Sequence, residues 1–283
     1  VVGNGADEYQ SEILSLAQSW GWPIIPDVQS SLRTLDHPLV LAHAELLLPN
    51  SKSPAPDCIF WISERLVSKR LLSWISQAAV VQISESRSRS DAGVGGVQRV
   101  VAPLADALAR AATWAVRTPP THTNSLELMA RHQQRREQVR EFTETIGWSE
   151  PWFHLHLNER LNSRSPYMVG NSMSIRLANL LLESRQAGGP TVYANRGASG
   201  IDGLLSSAIG ISQSSAQSTS IVLGDMSFAY DVNALLMCRQ LEVGLHIYVI
   251  NNGGGDIFRQ LPQAEETSNE RYWVQDPGLK IQS

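Results

Sequence analysis

The chain has 283 residues, of which 42% are hydrophobic and 18% charged, and a formal net charge of −4. This length and apolar content can bury two cores of ordinary size, so we expect two domains. The weak negative charge, with a pI near 6.0, argues against a dedicated nucleic-acid binder, which normally carries a basic face. No apolar run approaches the roughly 20 residues that a membrane-spanning helix needs, and no secretory signal pattern opens the chain. Membrane-inserted and secreted proteins are therefore not indicated.

The two cysteines, Cys58 and Cys238, both lie in apolar stretches of the sequence. We interpret them as buried small hydrophobic side chains rather than as a disulfide framework. A reducing compartment is therefore expected.

Strand and helix patterns alternate through the first part of the chain. Strands are predicted over 39–41, 58–62 and 79–83, and helices over 7–20, 68–76 and 104–116. Such alternation is typical of a parallel sheet. A polar, proline-bearing linker at 118–124 ends this part, so the predicted domains are 1–118 and 125–283.

The second part begins with a long predicted helix over 125–146. Its arginines lie among glutamates, which favours a solvated helix face: Arg131, Arg135, Arg136 and Arg140. His154 and His156 are predicted to share one face of a strand, and without a third ligand nearby they do not indicate a metal site. The serine-rich stretch 206–220 is predicted to be a loop. After it come a predicted strand at 220–223, a helix at 232–241 and a strand at 245–250.

Two loops in this last part carry the most informative pattern. Gly224-Asp225 follows one predicted strand, and Asn251-Asn252-Gly253-Gly254-Gly255 follows the next. A strand, a helix and a second strand place both loops at the carboxyl edge of a parallel sheet, where such folds bind ligands. Magnesium prefers oxygen ligands shared between one or two carboxylates and a phosphate. Either loop alone is ordinary turn sequence, but together they predict a metal and diphosphate site that points to thiamine diphosphate.

Three further strings extend this pattern: Gly170-Asn171-Ser172-Met173-Ser174-Ile175-Arg176, Asn195-Arg196-Gly197-Ala198-Ser199-Gly200-Ile201-Asp202-Gly203, and Ile257-Phe258 with Leu261-Pro262. With them, the second half resembles the thiamine-diphosphate-dependent 2-succinyl-5-enolpyruvyl-6-hydroxy-3-cyclohexene-1-carboxylate synthase family of menaquinone and phylloquinone biosynthesis. The strings at 20–27 and 68–74 look like the family's central domain, which binds no nucleotide of its own. The resemblance implies an α/β fold of two Rossmann-like parallel-sheet domains, central and diphosphate-binding, the second incomplete at its C-terminus.

The resemblance also implies roles for individual residues around the cofactor. Asp225, Asn252 and the Gly254 carbonyl match the positions that bind Mg²⁺ or Mn²⁺. Ile201 matches the apolar wedge that holds the cofactor bent, although an isoleucine at a helix start is also ordinary core. The remaining cofactor positions are the loop residues Gly224, Met226 and Ser227 and the apolar wall of Ile257, Phe258 and Leu261, for which core packing is the alternative.

The family joins two acidic substrates, 2-oxoglutarate and isochorismate. A site for them needs fixed cations, preferably arginine, whose planar fork pairs with a carboxylate. Arg176 and Arg196 match substrate-contacting arginines, with Ser172 as a nearby hydroxyl donor. Lys69 and Arg70 match a basic pair of the central domain, with a solvated helix start as the alternative.

The implied reaction is decarboxylation of 2-oxoglutarate followed by 1,4-addition of the succinyl carbanion equivalent to isochorismate. The family works as homodimers or homotetramers, in the bacterial cytoplasm or in a plastid. The chain begins as though inside a domain and lacks the N-terminal pyrimidine-binding domain with its catalytic glutamate. We therefore expect a fragment that is inactive alone.

Two departures and two alternatives accompany this interpretation. Gly253 stands where the family often has a third asparagine, and Asp256 adds a carboxylate that repels a diphosphate unless it faces away or helps the metal. One alternative is another thiamine-diphosphate enzyme, such as an acetohydroxyacid synthase relative, which the string at 195–203 argues against. The other is a truncated, non-catalytic module. A Ser-His-Asp hydrolase is not indicated, because no Gly-x-Ser-x-Gly elbow precedes a helix.

Overall fold

The computed structural model describes residues 1–48, 56–89, 94–114, 122–161, 164–183, 188–260, 274 and 277–278. The chain separates into two compact units: Val1–Arg160 with Asn179–Gly189, and Leu161–Ala178 with Pro190–Ser283. The predicted domain limits, 1–118 and 125–283, stay a prediction, and the compact units differ from them over 125–160 and 179–189. In the part of the chain described, every helix is too short or too polar to cross a membrane.

The first unit contains a parallel sheet. Its strands are β1 (Cys58–Ile62), β2 (Ala79–Ser84) and β3 (Val97–Val101), in that order. Buried apolar side chains run through β1 and β2, and Cys58 pairs with Ala79 at the start of their register. The strands predicted at 58–62 and 79–83 are therefore confirmed.

The strand predicted at 39–41 is wrong. Only an isolated parallel bridge joins Val40 to Ile24 there. Two hydrogen bonds hold it, from the Ile24 N–H to the Leu39 carbonyl at 2.7 Å and from the Leu41 N–H to the Ile24 carbonyl at 2.8 Å. The next bond of the ladder would need an N–H at position 26, and Pro26 has none, so the pairing stops at one bridge.

Helices cover the sheet of the first unit. Side chains of the helices at Gln10–Trp20 and Leu104–Ala112 share one apolar core with β1 and β2, which includes Leu16, Phe60 and Leu108. The helix predictions at 7–20, 68–76, 104–116 and 125–146 are confirmed in place, although 115–116 lie outside the described residues. The helices are α1 (Gln10–Trp20), α2 (Lys69–Ile75), α3 (Leu104–Ala112), α4 (His122–Ile146) and α5 (Glu150–Arg160), with 3-10 helices at Asp7–Tyr9, Ser31–Thr34 and Ala44–Leu47.

Two predictions on side-chain environment are corrected in this unit. His154 and His156 lie on helix α5 rather than on a strand, and they do not share a face: His154 is buried, whereas His156 is half-buried with its Nδ1 2.8 Å from the Trp152 carbonyl one helical turn earlier. Cys58 is exposed at the first position of β1, and Cys238 of the second unit is half-buried, so neither is a buried core residue. Both thiols are free, as predicted.

A buried carboxylate, Glu183, ties helix α4 into the first unit. Glu183 is 3% exposed. Its Oε2 accepts a hydrogen bond from the Arg136 Nε at 2.7 Å, and its Oε1 accepts one from the Arg140 Nε at 3.0 Å. The His43 Nε2 lies 3.3 Å from Oε2. The interpretation of the α4 arginines as a solvated face holds for the exposed Arg131 and Arg135, whereas Arg136 and the half-exposed Arg140 also neutralise a buried charge.

His132 packs beside this cluster as a neutral ring. Its Nε2 accepts the backbone N–H of His43 at 3.1 Å, which requires that nitrogen to be unprotonated. Burial, followed by the nearby His43, Arg136 and Arg33, lowers the pKa of His132 to about 4 against the opposing pull of Glu183. The pKa of the buried His154 is lowered to about 4 by desolvation alone.

These two histidines predict a loss of stability in mild acid. The unfolded rings titrate near pH 6.5 and the folded rings near pH 4, so the unfolded chain binds more protons between these values. The stabilisation is complete above pH 6.5 and is lost as the pH falls toward 4, by up to about 3 kcal/mol for each ring. Urea unfolding between pH 4 and 7 measures this slope. His132→Gln combined with His154→Phe is expected to flatten it, and an unchanged slope would contradict the assignment.

The second unit is built on a parallel sheet of β4 (Pro166–Val169), β5 (Thr191–Tyr193), β6 (Thr219–Gly224) and β7 (Leu245–Ile250). The order of these strands in the sheet is β5-β4-β6-β7. Its helices are α6 (Met173–Leu181), whose residues 179–181 group with the first unit, α7 (Leu204–Ser215), α8 (Asp225–Asp231) and α9 (Leu235–Leu241), with 3-10 helices at Val232–Ala234 and Asp256–Gln260. Buried residues of β4, β6 and α7 form its core, including Met168, Ile209 and Ile221.

The loop predicted at 206–220 is wrong over most of its length, because helix α7 runs to Ser215. Leu204, Leu205, Ala208, Ile209 and Ser212 are buried along one face of this helix. The strands predicted at 220–223 and 245–250 are confirmed, as is the helix at 232–241, which begins as a 3-10 turn.

Candidate functional site

The order of the strands in the second unit defines a topological switch point. From β4, the chain passes to β5 on one side and then returns to β6 on the other side. Because the strands are parallel, the loops that follow β4, β6 and β7 lie at one edge of the sheet. Open α/β sheets bind their ligands in the crevice at such a point. Gly170, Asp225 and Asn251 each lie at or next to these strand ends.

Asp225 is the buried carboxylate of this edge, 2% exposed at the start of α8. Its Oδ2 accepts the N–H groups of Gly253 at 3.1 Å and Gly254 at 2.9 Å. Gly253, Gly254 and Gly255 have φ values of 85°, 77° and 65°, a left-handed run that only glycine adopts without strain. The structure therefore brings together the two loops that the sequence pattern linked.

The donor set of this edge fits a hard divalent cation that shares its ligands with a phosphate. The described residues hold no group of three or more His, Cys, Asp or Glu side chains, so they offer no all-protein cage for a metal. Magnesium is commonly bound by one or two carboxylates together with phosphate oxygens. A Cβ added at Gly224 or Gly253 would meet no atom within 4 Å, so a ligand can approach the backbone there. Asn252 is exposed directly beside Gly253.

A second hydrogen-bonded group joins the loop after β4 to the loop after β5. Asn171, 3% exposed, donates from Nδ2 to the Gly200 carbonyl at 2.7 Å. Its Oδ1 accepts a hydrogen bond from the Arg196 Nη1 at 3.1 Å. Ser172 has a left-handed φ of 69°, and its carbonyl accepts the Arg176 Nη1 at 2.5 Å. The sequence pattern assigned Asn171 no role; the signal that could have revealed it is a polar side chain two residues after the buried run Pro166–Val169.

The remaining predicted positions lie on nearby segments of the second unit. Ile201 is half-buried in the loop before α7, three residues ahead of the helix start expected for it. Ser227 is buried on α8, whereas Gly224 and Met226 are half-buried. Ile257 is half-buried and Phe258 is 41% exposed on the 3-10 helix, and Leu261 and Pro262 lie outside the described residues.

The extra carboxylate of Asp256 has a cationic partner. Its Oδ1 accepts a hydrogen bond from the Arg259 Nη1 at 3.1 Å, one turn along the same 3-10 helix. This pairing reduces the repulsion that Asp256 would exert on a bound diphosphate.

Lys69 and Arg70 belong to the first unit, where they are exposed at the start of helix α2. The Ser68 side chain caps this helix by accepting the Leu71 N–H at 2.9 Å. Two cations beside the positive end of a helix dipole are disfavoured. Helix stability therefore does not explain the pair, although its exposure fits the solvated helix start that was the alternative.

Gly170 sets the distance between β4 and β6 beneath the site. A Cβ at this position would lie 2.9 Å from the Val222 carbonyl oxygen and 3.0 Å from the Leu223 Cα. We expect Gly170→Ala to lower the free energy of unfolding by about 1–3 kcal/mol, since backbone atoms must move. Gly210→Ala is the control, because its Cβ meets nothing within 4 Å on helix α7 and should stabilise by up to about 1 kcal/mol. Equal urea midpoints for the two variants would contradict this expectation.

The chain is similar both to a protein-family model and to curated proteins. A family model described as the middle domain of thiamine pyrophosphate matches residues 1–165. A 2-succinyl-5-enolpyruvyl-6-hydroxy-3-cyclohexene-1-carboxylate synthase from Shewanella loihica (strain ATCC BAA-1088 / PV-4) is 31% identical over 296 residues, which cover 99% of this chain and 49% of the relative. The chain therefore spans about half the length of the curated relative it matches.

Proposed function

Because the chain belongs to the thiamine pyrophosphate middle-domain family, we propose that it forms part of a thiamine-diphosphate-dependent synthase of menaquinone or phylloquinone biosynthesis. The enzyme decarboxylates 2-oxoglutarate and adds the succinyl carbanion equivalent in 1,4 fashion to isochorismate. The synthase from Shewanella loihica, similar over nearly the whole of this chain, supports this proposal.

The observation that carries the proposal is the buried Asp225 carboxylate at the switch point, held against the N–H groups of Gly253 and Gly254. In our proposal Asp225, Asn252 and the Gly254 carbonyl hold Mg²⁺ or Mn²⁺, which neutralises the diphosphate. When bound, thiamine diphosphate supplies the centre that stabilises the carbanion formed on decarboxylation.

The surrounding residues shape the rest of the cofactor site. Ile201 supports the bent form of the cofactor, and Gly224, Met226 and Ser227 give it a close backbone approach. Ile257 and Phe258 form an apolar wall that excludes water next to the reacting carbon. Excluding water helps because the charge of the carboxylate is dispersed as carbon dioxide leaves.

Fixed cations orient the acidic substrates. Arg196 is half-buried and Arg176 is exposed, both at the sheet edge that holds Asp225. Each guanidinium can pair with a carboxylate through two parallel hydrogen bonds. We assign Ser172 a hydroxyl contact to substrate, and we assign Lys69 and Arg70 of the first unit to binding of an acidic group.

The complete enzyme needs parts beyond those described. We propose a homodimer or homotetramer in which a pyrimidine-binding domain contributes the catalytic glutamate, so that this chain alone is inactive. A bacterial cytoplasm or a plastid is the proposed compartment, and 1–118 and 125–283 are the proposed domains.

Carbon dioxide release by the full-length protein tests this function. With thiamine diphosphate, Mg²⁺ and 2-oxoglutarate, we expect turnover that depends on added isochorismate. Pyruvate in place of 2-oxoglutarate serves as the matched substrate control. Turnover of pyruvate alone would favour an acetohydroxyacid synthase relative, and no cofactor-dependent turnover of either acid would indicate a non-catalytic module.

A further inference from the structure

We propose that Asn171 is a positioning residue that fixes the direction of the Arg196 guanidinium and the conformation of the loop 195–203. This inference rests on the proposed function, because it concerns how that site presents a cation to a dicarboxylate substrate. Asn171 does not itself need to touch the substrate.

The amide of Asn171 uses both of its ends on one neighbouring loop. Its Nδ2 donates to the Gly200 carbonyl at 2.7 Å, and its Oδ1 accepts from the Arg196 Nη1 at 3.1 Å. Arg196 and Gly200 are four residues apart in the loop 195–203. The Asn171 side chain therefore holds this loop both near its beginning and at its middle. Because Asn171 is only 3% exposed, water does not compete freely for either of these hydrogen bonds.

The backbone that carries Asn171 is itself rigidly placed. The neighbouring Gly170 donates its N–H to the Val222 carbonyl at 2.7 Å, which extends the pairing of β4 with β6 by one residue. A Cβ at Gly170 would clash with β6, so the backbone at Gly170 and the backbone of β6 lie too close together for any side chain between them. Asn171 therefore transmits the geometry of the buried sheet to an exposed loop, whose residues 197–200 are all exposed.

The chemistry of an amide, rather than of a carboxylate, suits this position for two reasons. An amide, unlike a carboxylate, offers a donor to the Gly200 carbonyl and an acceptor to Arg196 from the same group. An amide is also neutral, so it orients Arg196 without neutralising it. An aspartate here would repel the Gly200 carbonyl and would form an internal ion pair that competes with the substrate carboxylate for Arg196.

The test uses the full-length holoenzyme and separates KM from kcat. Arg196→Ala first identifies which dicarboxylate Arg196 binds, as the substrate whose KM rises. Asn171→Asp is expected to raise the same KM by at least about 10-fold, since a charge-assisted hydrogen bond is redirected. Asn171→Ala should raise that KM less. Ser207→Ala is the control, because it removes the 2.9 Å bond from Asn195 in the same loop without touching Arg196.

A double-mutant cycle distinguishes positioning from a general structural effect. If Asn171 acts through Arg196, adding Asn171→Asp to Arg196→Ala should raise KM no further. Fully additive effects, or equal losses in Ser207→Ala, would overturn the inference. An absence of isochorismate-dependent turnover by the wild-type enzyme would contradict the proposed function instead. In that case, crystal structures of the wild type and of Asn171→Ala test the role of Asn171 directly. If the Arg196 guanidinium and the loop 195–203 had the same positions in both, that result alone would overturn the inference.

Discussion

Replacing Arg136 and Arg140 together by methionine is expected to lower the free energy of unfolding by about 3–5 kcal/mol. Both guanidinium groups donate hydrogen bonds to Glu183, whose side chain is 4% exposed. Burial on its own would raise the pKa of Glu183, but hydrogen bonds from His43, Arg140 and Arg136 outweigh it and hold the pKa at about 2. Removing cationic partners from a buried carboxylate leaves a desolvated charge, which is the costly way to break such a cluster.

Two comparison variants make this prediction specific. Arg131→Met combined with Arg135→Met removes two exposed arginines of the same helix and should change stability by no more than about 0.5 kcal/mol. Adding Glu183→Leu to the Arg136 and Arg140 double variant should restore most of the loss, since an apolar replacement of the whole cluster is often neutral. Urea unfolding followed by tryptophan fluorescence measures all three. Equal destabilisation by the two double variants would show that Glu183 does not depend on its arginines.

Asp225→Asn is expected to weaken the affinity for thiamine diphosphate in the presence of Mg²⁺ by about 100-fold, and to abolish isochorismate-dependent turnover. The loss corresponds to about 3 kcal/mol. Asparagine keeps an oxygen for the N–H groups of Gly253 and Gly254, so the loop retains an acceptor while the cation loses its carboxylate. Isothermal titration of the full-length protein with the cofactor measures the change.

Asp231→Asn provides the matched control on the same helix. Asp231 accepts hydrogen bonds from the backbone N–H and the hydroxyl of Ser206, so its carboxylate serves helix α7. Its replacement should leave cofactor affinity unchanged. If Asp225→Asn bound Mg²⁺ and cofactor as tightly as the wild type, the cation would have to be held elsewhere.

Local sequence patterns correctly predicted those strands and helices whose form is decided by residues adjacent in the sequence. The β-branched and apolar runs at Cys58–Ile62 and Leu245–Ile250 became strands with those limits. The alternation around His154 misled the prediction, because Leu155 and Leu157 are buried on a helix that packs beside α4. The serines of α7 misled it in another way: Ser207 donates to the Gly203 carbonyl at 2.8 Å within the helix instead of forming a loop.

In the candidate site too, local patterns predicted some features and missed those that depend on residues distant in the sequence. Because parallel strands share a carboxyl edge, the sequence alone could place Asp225 and the glycine loop together. It could not reveal that Asn171 meets Arg196, 25 residues away, or that Glu183 meets Arg136 and Arg140, 47 and 43 residues away. These contacts depend on how loops and helices pack in three dimensions, which no local periodicity encodes. The role of Arg136 and Arg140 on the basic helix face was missed for this reason.

The most direct test of the account is the position of the metal. Crystals of the full-length protein grown with thiamine diphosphate and Mn²⁺ in place of Mg²⁺ would show the cation by its anomalous scattering. We predict an anomalous peak within coordination distance of the Asp225 carboxylate, the Asn252 amide oxygen and the Gly254 carbonyl, with the cofactor diphosphate completing its ligands. A catalytically active crystal form with bound cofactor and with its manganese peak away from Asp225 would contradict the assignment of this sheet edge as the cofactor site.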